Sequence, residues 1–378
     1  MKIDKYSAIL GNTVGFHDMD GLTEHRPIAS LPFGGKYRLI DFPLSNLANA
    51  GIRSVFGIFQ QDNISSVFDH IRSGREWGLS TLLSHYYLGI YNTPVESSTV
   101  DKEYYSQILT YLKRSGSDQT VALNSDVLVN IDLNQVLHLH NSTRQKITVV
   151  YKKLPKEQIS DVNSVLEIDE SDKVLSHELF QGGDKEAYNM STDIFVVDTP
   201  YLIEKLEEEA AKEEPRKLRY VLRDLAVAEN GFAYEYTGYL SNIHSVKSYF
   251  DANLDMLESE KFYKLFAPNQ KVYTKVKNEE PTYYAASSEV KVSQFASGSI
   301  VRGKVEHSVV SRNVDLAEGS SVSYSVLFPR VTVGKGATVE YAIVDKGVEI
   351  AEGVTIRGTE NNPVVIKKGS VVTEDIVR

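Results

Sequence analysis

The C-terminal part of the chain, from Ser287 onward, has apolar residues at a spacing of six, and this period restricts the fold more than any other feature of the sequence. A six-residue period is typical of a β-helix of hexapeptide repeats, in which each side of a triangular coil contributes one inward aliphatic residue. We therefore predict a β-helix over residues 287–378, against the alternative of a β-sandwich with accidental spacing. The residues in the period are Val310, Leu316, Val322 and Phe328, then, after a slip, Val344, Ile350 and Ile356.

Residues 1–260 show a different pattern, in which short apolar runs alternate with amphipathic segments. The runs are bounded by turn residues, as buried strands are, and cover residues 6–10, 54–59, 120–123, 147–151 and 193–197. Helices are predicted within residues 43–50, 104–113 and 201–229. Strands that alternate with helices predict a mainly parallel sheet covered on both faces. Residues 261–286 mix aromatic residues, lysines and prolines, and we predict that they form a linker.

Composition excludes several classes of function. The 378 residues include 41 Lys and Arg against 51 Asp and Glu, a net charge of −10, and no basic run suited to a nucleic-acid backbone. The chain has no cysteine, which excludes disulfides, thiolate metal ligands and cysteine nucleophiles. Its N-terminal apolar stretch is too short for a signal peptide or a membrane span, and no longer one follows. We expect a cytoplasmic protein with neither a nucleic-acid nor a membrane partner.

The most distinctive motif covers residues 32–52, which read PFGGKYRLIDFPLSNLANAGI. In this block the chain resembles the ADP-glucose pyrophosphorylase (glucose-1-phosphate adenylyltransferase) family, and the resemblance extends along the whole chain. It implies an α/β nucleotidyltransferase domain, Rossmann-like and of the GT-A type, followed by a left-handed parallel β-helix of hexapeptide repeats. Enzymes of this family join ATP and glucose-1-phosphate into ADP-glucose and pyrophosphate, with Mg²⁺ at the site.

The phosphate-binding residues that the resemblance implies are replaced in this chain. The family has a glycine-rich loop with an arginine where the chain has residues 11–20, and His17 or Asp18 stands at the place of that arginine. A carboxylate beside a triphosphate is repulsive, so Asp18 disfavours ATP. Ile28 stands where the family has a lysine. In place of the family's glycine-rich loop, this segment contains the apolar residues Val14, Phe16 and Met19.

The metal site that the resemblance implies is reduced to one carboxylate. Asp126 is the remnant of the first acidic ligand, and a neutral Asn242 replaces the second. Mg²⁺ accepts an amide oxygen but prefers charged ligands, so its binding should weaken greatly. The alternative for Asp126 is a strand-end carboxylate held by backbone N–H groups. We therefore expect no catalytic residue, no bound metal and no cofactor of the chain's own.

These replacements predict a subunit that has the fold of the family but has lost its catalytic activity. The chain resembles the regulatory subunits of the family, which pair with catalytic subunits in heterotetramers. The resemblance implies that it tunes a partner that uses Mg²⁺ and ATP to make ADP-glucose in bacterial glycogen synthesis. Two alternatives stay open: a divergent active nucleotidyltransferase with new phosphate cations such as Arg26, Lys36 or Arg75, and a homo-oligomeric sensor of a sugar phosphate or a nucleotide.

Lys36 and Arg38 lie in the intact block, two residues apart, so on an extended loop their side chains point the same way. Such a pair is suited to clamping an anion. The resemblance places a site for an anionic sugar-phosphate effector near this loop, with Arg26 as a third candidate residue. For Arg38 the alternative is an ion pair with Asp41 that holds the loop.

Overall fold

The N-terminal part of the chain folds around a nine-stranded sheet, in a computed structural model that describes residues 5–12, 15–62, 64–81 and 84–378. The strands of this sheet and of two small ribbons are β1 (Tyr6–Asn12), β2 (Pro32–Phe33), β3 (Tyr37–Arg38), β4 (Ser54–Gln60), β5 (His85–Tyr91), β6 (Gln119–Leu123), β7 (Val127–Val129), β8 (Ile147–Pro155), β9 (Ser164–Ile168), β10 (Val174–Leu179), β11 (Ala187–Asp198), β12 (Phe232–Glu235) and β13 (Leu240–Asn242).

The helices of this part are α1 (Asp20–Thr23), α2 (Asp41–Asn49), α3 (Ser65–Ile71), α4 (Lys102–Ser115), α5 (Leu133–Thr143), α6 (Thr199–Ala210), α7 (Leu218–Ala228), α8 (Val246–Asp255) and α9 (Ser259–Leu265). In the ranges that the structure describes, none of the helices is long and apolar enough to cross a membrane.

The large sheet has the strand order β10-β9-β11-β6-β1-β4-β5, with β8 and β12 continuing from β11. Its centre is parallel, as predicted: β1 pairs in parallel with β4 and β6, and β4 with β5. The other half is largely antiparallel, because β11 runs against β6, β8 and β9. All five predicted strand runs lie within β1, β4, β6, β8 and β11, so the buried apolar runs identified the central strands correctly.

Helices cover both faces of the sheet, as predicted. Side chains alternate along a strand, so Ala8 and Leu10 of β1 contribute to a core with α2 and α5. Ile9, between them, contributes to a second core with α4 and α6. Two separate apolar layers therefore hold the carboxyl ends of the central strands in fixed positions.

The C-terminal part of the chain is a left-handed parallel β-helix, as predicted. Every third strand pairs with the next one on the same side of the coil, which gives three sheets of six, six and five strands. The strands are β14 (Tyr283–Tyr284), β15 (Glu289–Lys291), β16 (Gln294–Phe295), β17 (Ile300–Val301), β18 (Lys304–Glu306), β19 (Val309–Val310), β20 (Asp315–Leu316), β21 (Ser321–Ser323), β22 (Val326–Leu327), β23 (Thr332–Val333), β24 (Thr338–Glu340), β25 (Ala342–Val344), β26 (Glu349–Ile350), β27 (Thr355–Arg357), β28 (Val364–Ile366), β29 (Val371–Val372) and β30 (Ile376–Val377).

The regular coils take 17 residues, since Leu316 pairs with Val333 and Val333 with Ile350. Two sides of each such coil follow the six-residue period, and the third is one residue shorter. The prediction that Phe328 points into the coil is wrong for this reason: Leu327 takes the interior place. Phe328 lies on the outside of the coil and joins a separate apolar cluster.

That cluster joins the α/β domain to the β-helix. Ile28 and Tyr249 contribute from the N-terminal side, and Phe328 and Ile343 from the β-helix. The ring of Tyr249 meets the ring of Phe328 edge-on, with their centroids 6.2 Å apart. Residues 261–286, predicted to be the linker, contain the end of α9 and the strand β14, and residues 266–282 between these two elements form neither helix nor strand.

The glycines of the block at residues 32–52 allow the backbone to touch the β-helix. Gly35 has φ 76°, and a Cβ there would lie 3.2 Å from the carbonyl oxygen of Val310. Gly34 accepts a hydrogen bond from Gln294 Nε2 at 3.2 Å. A larger residue at position 35 would strain the backbone and separate the two domains.

Truncation of Phe328 to alanine is expected to lower the free energy of unfolding by about 3–5 kcal/mol, because it leaves a cavity in the cluster between the domains. Chemical denaturation followed by circular dichroism measures this loss. Phe68→Ala is the matched control: the side chain of Phe68 is 41% exposed, and its loss should cost less than about 1 kcal/mol. Equal effects of the two changes would contradict the role given to Phe328.

Candidate functional site

The carboxyl ends of β1 and β6 meet at one edge of the parallel sheet, where α/β proteins bind their ligands. Beside this edge β7 and β13 form a small antiparallel ribbon, in which Val127 pairs with Asn242. Asp126 immediately precedes β7, and its carbonyl oxygen accepts a hydrogen bond from the backbone N–H of Ile243 at 2.9 Å. The fold therefore places Asp126 and Asn242, the two metal-site positions singled out in the sequence, on neighbouring strands.

Asp126 is a buried carboxyl group whose charge is compensated only in part. Within the described residues nothing donates a hydrogen bond to its Oδ1. Burial raises the pKa of Asp126, and the nearby Arg219 opposes this only in part. The environment of Asp126 therefore disfavours the ionised carboxylate relative to an exposed one.

Asn242 is fixed by its own hydrogen bonds. Its amide nitrogen donates to the carbonyl oxygen of Gln158 at 2.9 Å and to Asn163 Oδ1 at 2.7 Å. Its amide oxygen accepts a longer bond, 3.4 Å, from Asn163 Nδ2. An asparagine, which donates as well as accepts, fits these partners, whereas a carboxylate would face two oxygen atoms.

These residues do not fit a Mg²⁺ site. Mg²⁺ binds through carboxylates and demands near-ideal octahedral geometry. Here only one carboxyl group is present, burial raises its pKa, and the amide of Asn242 is engaged with Asn163. Over the described ranges, no group of three or more His, Asp or Glu side chains is placed to hold a metal ion. No step of a metal-assisted transfer can be assigned to them.

The segment that replaces the phosphate loop is packed as apolar core. Phe16, Met19 and Ile28 are buried in the same cluster as Phe328. Val14 and the side chain of His17 lie outside the described residues. Asp18 is exposed, and its charge acts on His244, whose pKa is lowered mainly by burial.

A cleft of about 810 Å³ adjoins this segment and has an acidic character. Among the described residues it is lined by the carboxylates of Glu24, Asp62 and Glu96 and by two cations, both of which are paired within the chain. Arg26 binds both carboxylate oxygens of Asp345 at 2.9 and 2.7 Å, and Lys367 binds Glu24 at 2.7 Å. A polyphosphate in this cleft would meet carboxylates without free cations to balance them.

A second cavity, of about 320 Å³, has the opposite charge. It lies between the α/β domain, the segment before the β-helix and the turns of the β-helix. Among the described lining residues nine are Lys or Arg and one, Asp69, is acidic. In a chain of net charge −10, such a concentration of cations is an anion-binding feature.

All three candidate effector residues line this basic cavity. Lys36 lies over the ring of Tyr37, 5.0 Å from its centroid. The guanidinium of Arg38 donates to the carbonyl oxygen of Ser66 at 2.6 Å, and it is the backbone N–H of Arg38, not the side chain, that donates to Asp41. Arg26 is already paired with Asp345, so its charge is partly compensated.

The sequence analysis missed most of the cations of the cavity. Two come from the segment before the β-helix, and four from equivalent turns of successive coils. Backbone hydrogen bonds stack these turns, for example from Arg330 N–H to Arg312 O at 3.0 Å. The recurrence of Arg or Lys at each of these turns is visible in the sequence, and it could have predicted a row of cations along the β-helix. The missed residues are Lys275, Lys277, Arg312, Arg330, Lys346 and Lys368.

The cations of the cavity repel one another. Burial lowers the pKa of Lys277 and of Lys346, and the neighbours Arg312 and Arg330, respectively, lower it further. Arg312 is paired with Glu279 at 3.1 Å and Lys275 with Asp69 at 3.3 Å. A bound anion would relieve the repulsion around Lys277 and Lys346.

Comparisons with known proteins agree with this architecture. A family model described as nucleotidyl transferase matches residues 19–259, and one described as GlmU-like, C-terminal hexapeptide matches residues 276–376. The fold thus defines a nucleotidyltransferase-type protein with a hexapeptide β-helix.

Individual relatives identify the family of the chain within this class. The chain is 32% identical to the glycogen biosynthesis protein GlgD of Bacillus subtilis (strain 168), over 97% of this chain and 96% of that protein. It is 33% identical to GlgD of Geobacillus stearothermophilus, over 99% of each. Glucose-1-phosphate adenylyltransferase of Bacillus cereus is 29% identical over 80% of this chain and 82% of the relative. The chain belongs to the GlgD family, within the wider ADP-glucose pyrophosphorylase family, which confirms the resemblance found at residues 32–52.

Replacement of Asp126 by asparagine is expected to stabilise the protein at pH 7 by about 1–3 kcal/mol, because a buried carboxylate that is compensated only in part is costly. The folded state holds this proton to higher pH than the unfolded state, in which the pKa is about 3.9. Stability contributed by Asp126 is thus present below that value and is lost as the pH rises through the raised folded pKa. Urea denaturation between pH 4 and 8 should show that Asp126→Asn removes this decline.

Asp41→Asn is the control for this prediction. Asp41 is equally buried, but its carboxylate is satisfied by the backbone N–H of Arg38 and by the ring of His70. Its replacement should therefore destabilise the protein. A loss of stability in Asp126→Asn as large as in Asp41→Asn would show that the carboxylate of Asp126 is well compensated.

Proposed function

We propose that this protein is a non-catalytic regulatory subunit in bacterial glycogen biosynthesis, which tunes a catalytic partner that makes ADP-glucose from ATP and glucose-1-phosphate. One observation carries the proposal: the positions that would hold Mg²⁺ contain a single carboxyl group, the buried Asp126, and a neutral Asn242 whose amide is engaged with Asn163. Mg²⁺ and ATP are then cofactors of the partner alone.

The charges around the cleft support the same conclusion. Phosphoryl and nucleotidyl transfer need cations and metal ions where negative charge converges. Here Arg26 and Lys367 are paired within the chain, while Asp62 and Glu96 add negative charge. The sequence left open a divergent active transferase with Arg26, Lys36 or Arg75 as new phosphate cations. Of these three, Arg26 lines this cleft, and it is paired with Asp345.

A protein partner is supported by the ends of the β-helix. In the described part of the chain no further strand lies beside the first or the last coil. Apolar side chains are exposed there: Tyr283 is 61% exposed, Val371 67% and Val377 63%. Open strand edges with exposed apolar residues are suited to association, and we propose a heterotetramer with the catalytic subunit.

The effector in this proposal is an anionic sugar phosphate bound in the basic cavity. Lys36 and Arg38 come from the α/β domain, Lys277 from the segment before the β-helix, and Arg330 and Lys346 from the β-helix. An anion held by all three segments would favour one arrangement of the domains over others, and such a differential contact is what allosteric coupling requires.

The basic cavity also favours a second candidate function, a homo-oligomeric sensor of a sugar phosphate. A sensor needs the cavity but no catalytic partner. The two functions differ in one measurable respect: only a regulatory subunit changes the activity of a catalytic relative.

The chain alone is expected to make no ADP-glucose from ATP, glucose-1-phosphate and Mg²⁺. Titrated into a catalytic glucose-1-phosphate adenylyltransferase from the same cell, it should raise the activity, or its response to effectors, by about fivefold or more in a saturable manner. Pyrophosphate release measures the activity of the chain alone and of the mixture. No effect on the partner, together with a stable homo-oligomer, would favour the sensor, and robust turnover alone would overturn both.

A hexose bisphosphate is expected to bind in the basic cavity and to change the fluorescence of Trp77. This is the sole tryptophan of the chain, and its ring lies 5.9 Å from that of His70, which lines the cavity. Lys277→Glu together with Lys346→Glu should weaken binding more than about tenfold, because charge-assisted hydrogen bonds are lost.

Lys304→Glu is the control for the binding experiment, since Lys304 is exposed on the β-helix and pairs with Glu289. It should leave the affinity unchanged. The same affinity in the double variant as in the native protein would place the binding site elsewhere.

A further inference from the structure

The edge of the sheet where β1 and β6 end is closed by side chains from α7 and β11. The space left there is about 20 Å³ and is lined by Gly11 and Asn124 at the strand ends and by Asp193 and Arg219 on the other side. This is little more than a single water molecule needs. A phosphate-bearing ligand has no room in this space in the native protein.

Three charged side chains fill the space. The carboxylate of Asp193 lies 2.7 Å from Nη2 of Arg219 and 2.7 Å from Nη2 of Arg223, and Arg223 Nε donates to it at 3.0 Å. Each of the three exposes only 5–6% of its side chain. Such short bonds around one carboxylate reproduce the way paired arginines hold a phosphate oxygen.

The local backbone brings the three groups together. Arg219 and Arg223 are four residues apart on α7, so they lie on one face of that helix. Asp193 lies where the pairing of β11 with β8 shifts register, between Ser191 and Ile194, and has φ 52°. A residue other than glycine pays a conformational cost in this left-handed region, and here the cost is offset by the two guanidinium groups.

The charges of the cluster do not balance. Two guanidinium groups face one carboxylate, and within the described residues Arg219 Nε has no hydrogen-bond partner. Burial opposes the ionisation of Asp193, yet the two arginines hold its pKa well below the usual range.

We propose that the carboxylate of Asp193 occupies an anion-binding site formed by Arg219 and Arg223. It thereby excludes phosphate monoesters from the edge of the sheet. The site is separate from the basic cavity, and its closure does not depend on whether the chain regulates a partner. Removal of the carboxylate converts the cluster into a site for inorganic phosphate.

The experiment compares a chain that keeps Asp193 with the variants Asp193→Gly and Asp193→Asn. All three chains also carry Lys277→Glu and Lys346→Glu, so that the basic cavity does not bind the probe. Glycine also relieves the left-handed backbone at this position. Inorganic phosphate is the probe, and the melting temperature is measured against its concentration at constant ionic strength. The two Asp193 variants are expected to gain about 3–5 °C at a tenfold excess over Kd, with a saturable response.

Two further variants make the result specific. Arg219→Gln added to Asp193→Gly should abolish the phosphate response. Glu209→Gln is the matched control, because Glu209 is also a buried carboxylate held by two cations, Lys212 and Arg216, but it lies away from the sheet edge. It should lose stability without gaining a response to phosphate.

Three outcomes would overturn the proposal. The first is the absence of phosphate-dependent stabilisation in both Asp193 variants, and the second is an equal response in the chain that keeps Asp193. The third is failure of both variants to fold even in 100 mM phosphate, because an anion that matches the site should replace the carboxylate. In each case Asp193 would serve only to join β11 to α7.

Discussion

The apolar cluster between the two domains is the contact on which the other features of the structure depend. Ile28 and Phe16 from the N-terminal segment pack in it with Phe328 and Ile343 of the β-helix. One packed layer thus joins the domains and fills the segment that would otherwise hold phosphates. It also fixes Arg26 beside the ring of Phe328, 5.7 Å from its centroid, where the guanidinium reaches Asp345. Arg26 lines both the acidic cleft and the basic cavity, so the same contact separates them.

The distribution of charge follows from this packing. Cations that a transferase would direct at its substrate are here paired within the chain, at Arg26 with Asp345 and at Arg219 with Asp193. The largest group of cations lies instead in the basic cavity between the domains. The protein therefore concentrates positive charge away from the sheet edge at which α/β proteins bind their ligands. A regulatory role, in which an anion acts on domain arrangement, is the function most consistent with that distribution.

Sequence alone predicted the two-part architecture because both signals are local. Buried strands appear as short apolar runs, and the β-helix as a six-residue period. The 17-residue coil was missed because one side is a residue shorter, so Phe328 kept the apparent period while Leu327 took the interior place. At the site, the replaced residues Ile28 and Asn242 were found because a motif marked their positions. Asp193 and Arg219 were not, since they are 26 residues apart (219 − 193) and meet only because a shifted strand and a helix face converge on one edge.

The central claim is that the sheet edge no longer binds the substrates of the family, and the most direct test is Mg²⁺-dependent ATP binding by the chain itself. Equilibrium dialysis with labelled ATP, with and without Mg²⁺, should use Lys277→Glu combined with Lys346→Glu so that the basic cavity contributes nothing. The account predicts no saturable binding below millimolar ATP and no effect of Mg²⁺. Saturable binding that requires Mg²⁺ and is lost in Asp126→Asn would contradict it, because Asp126 would then be a working metal ligand.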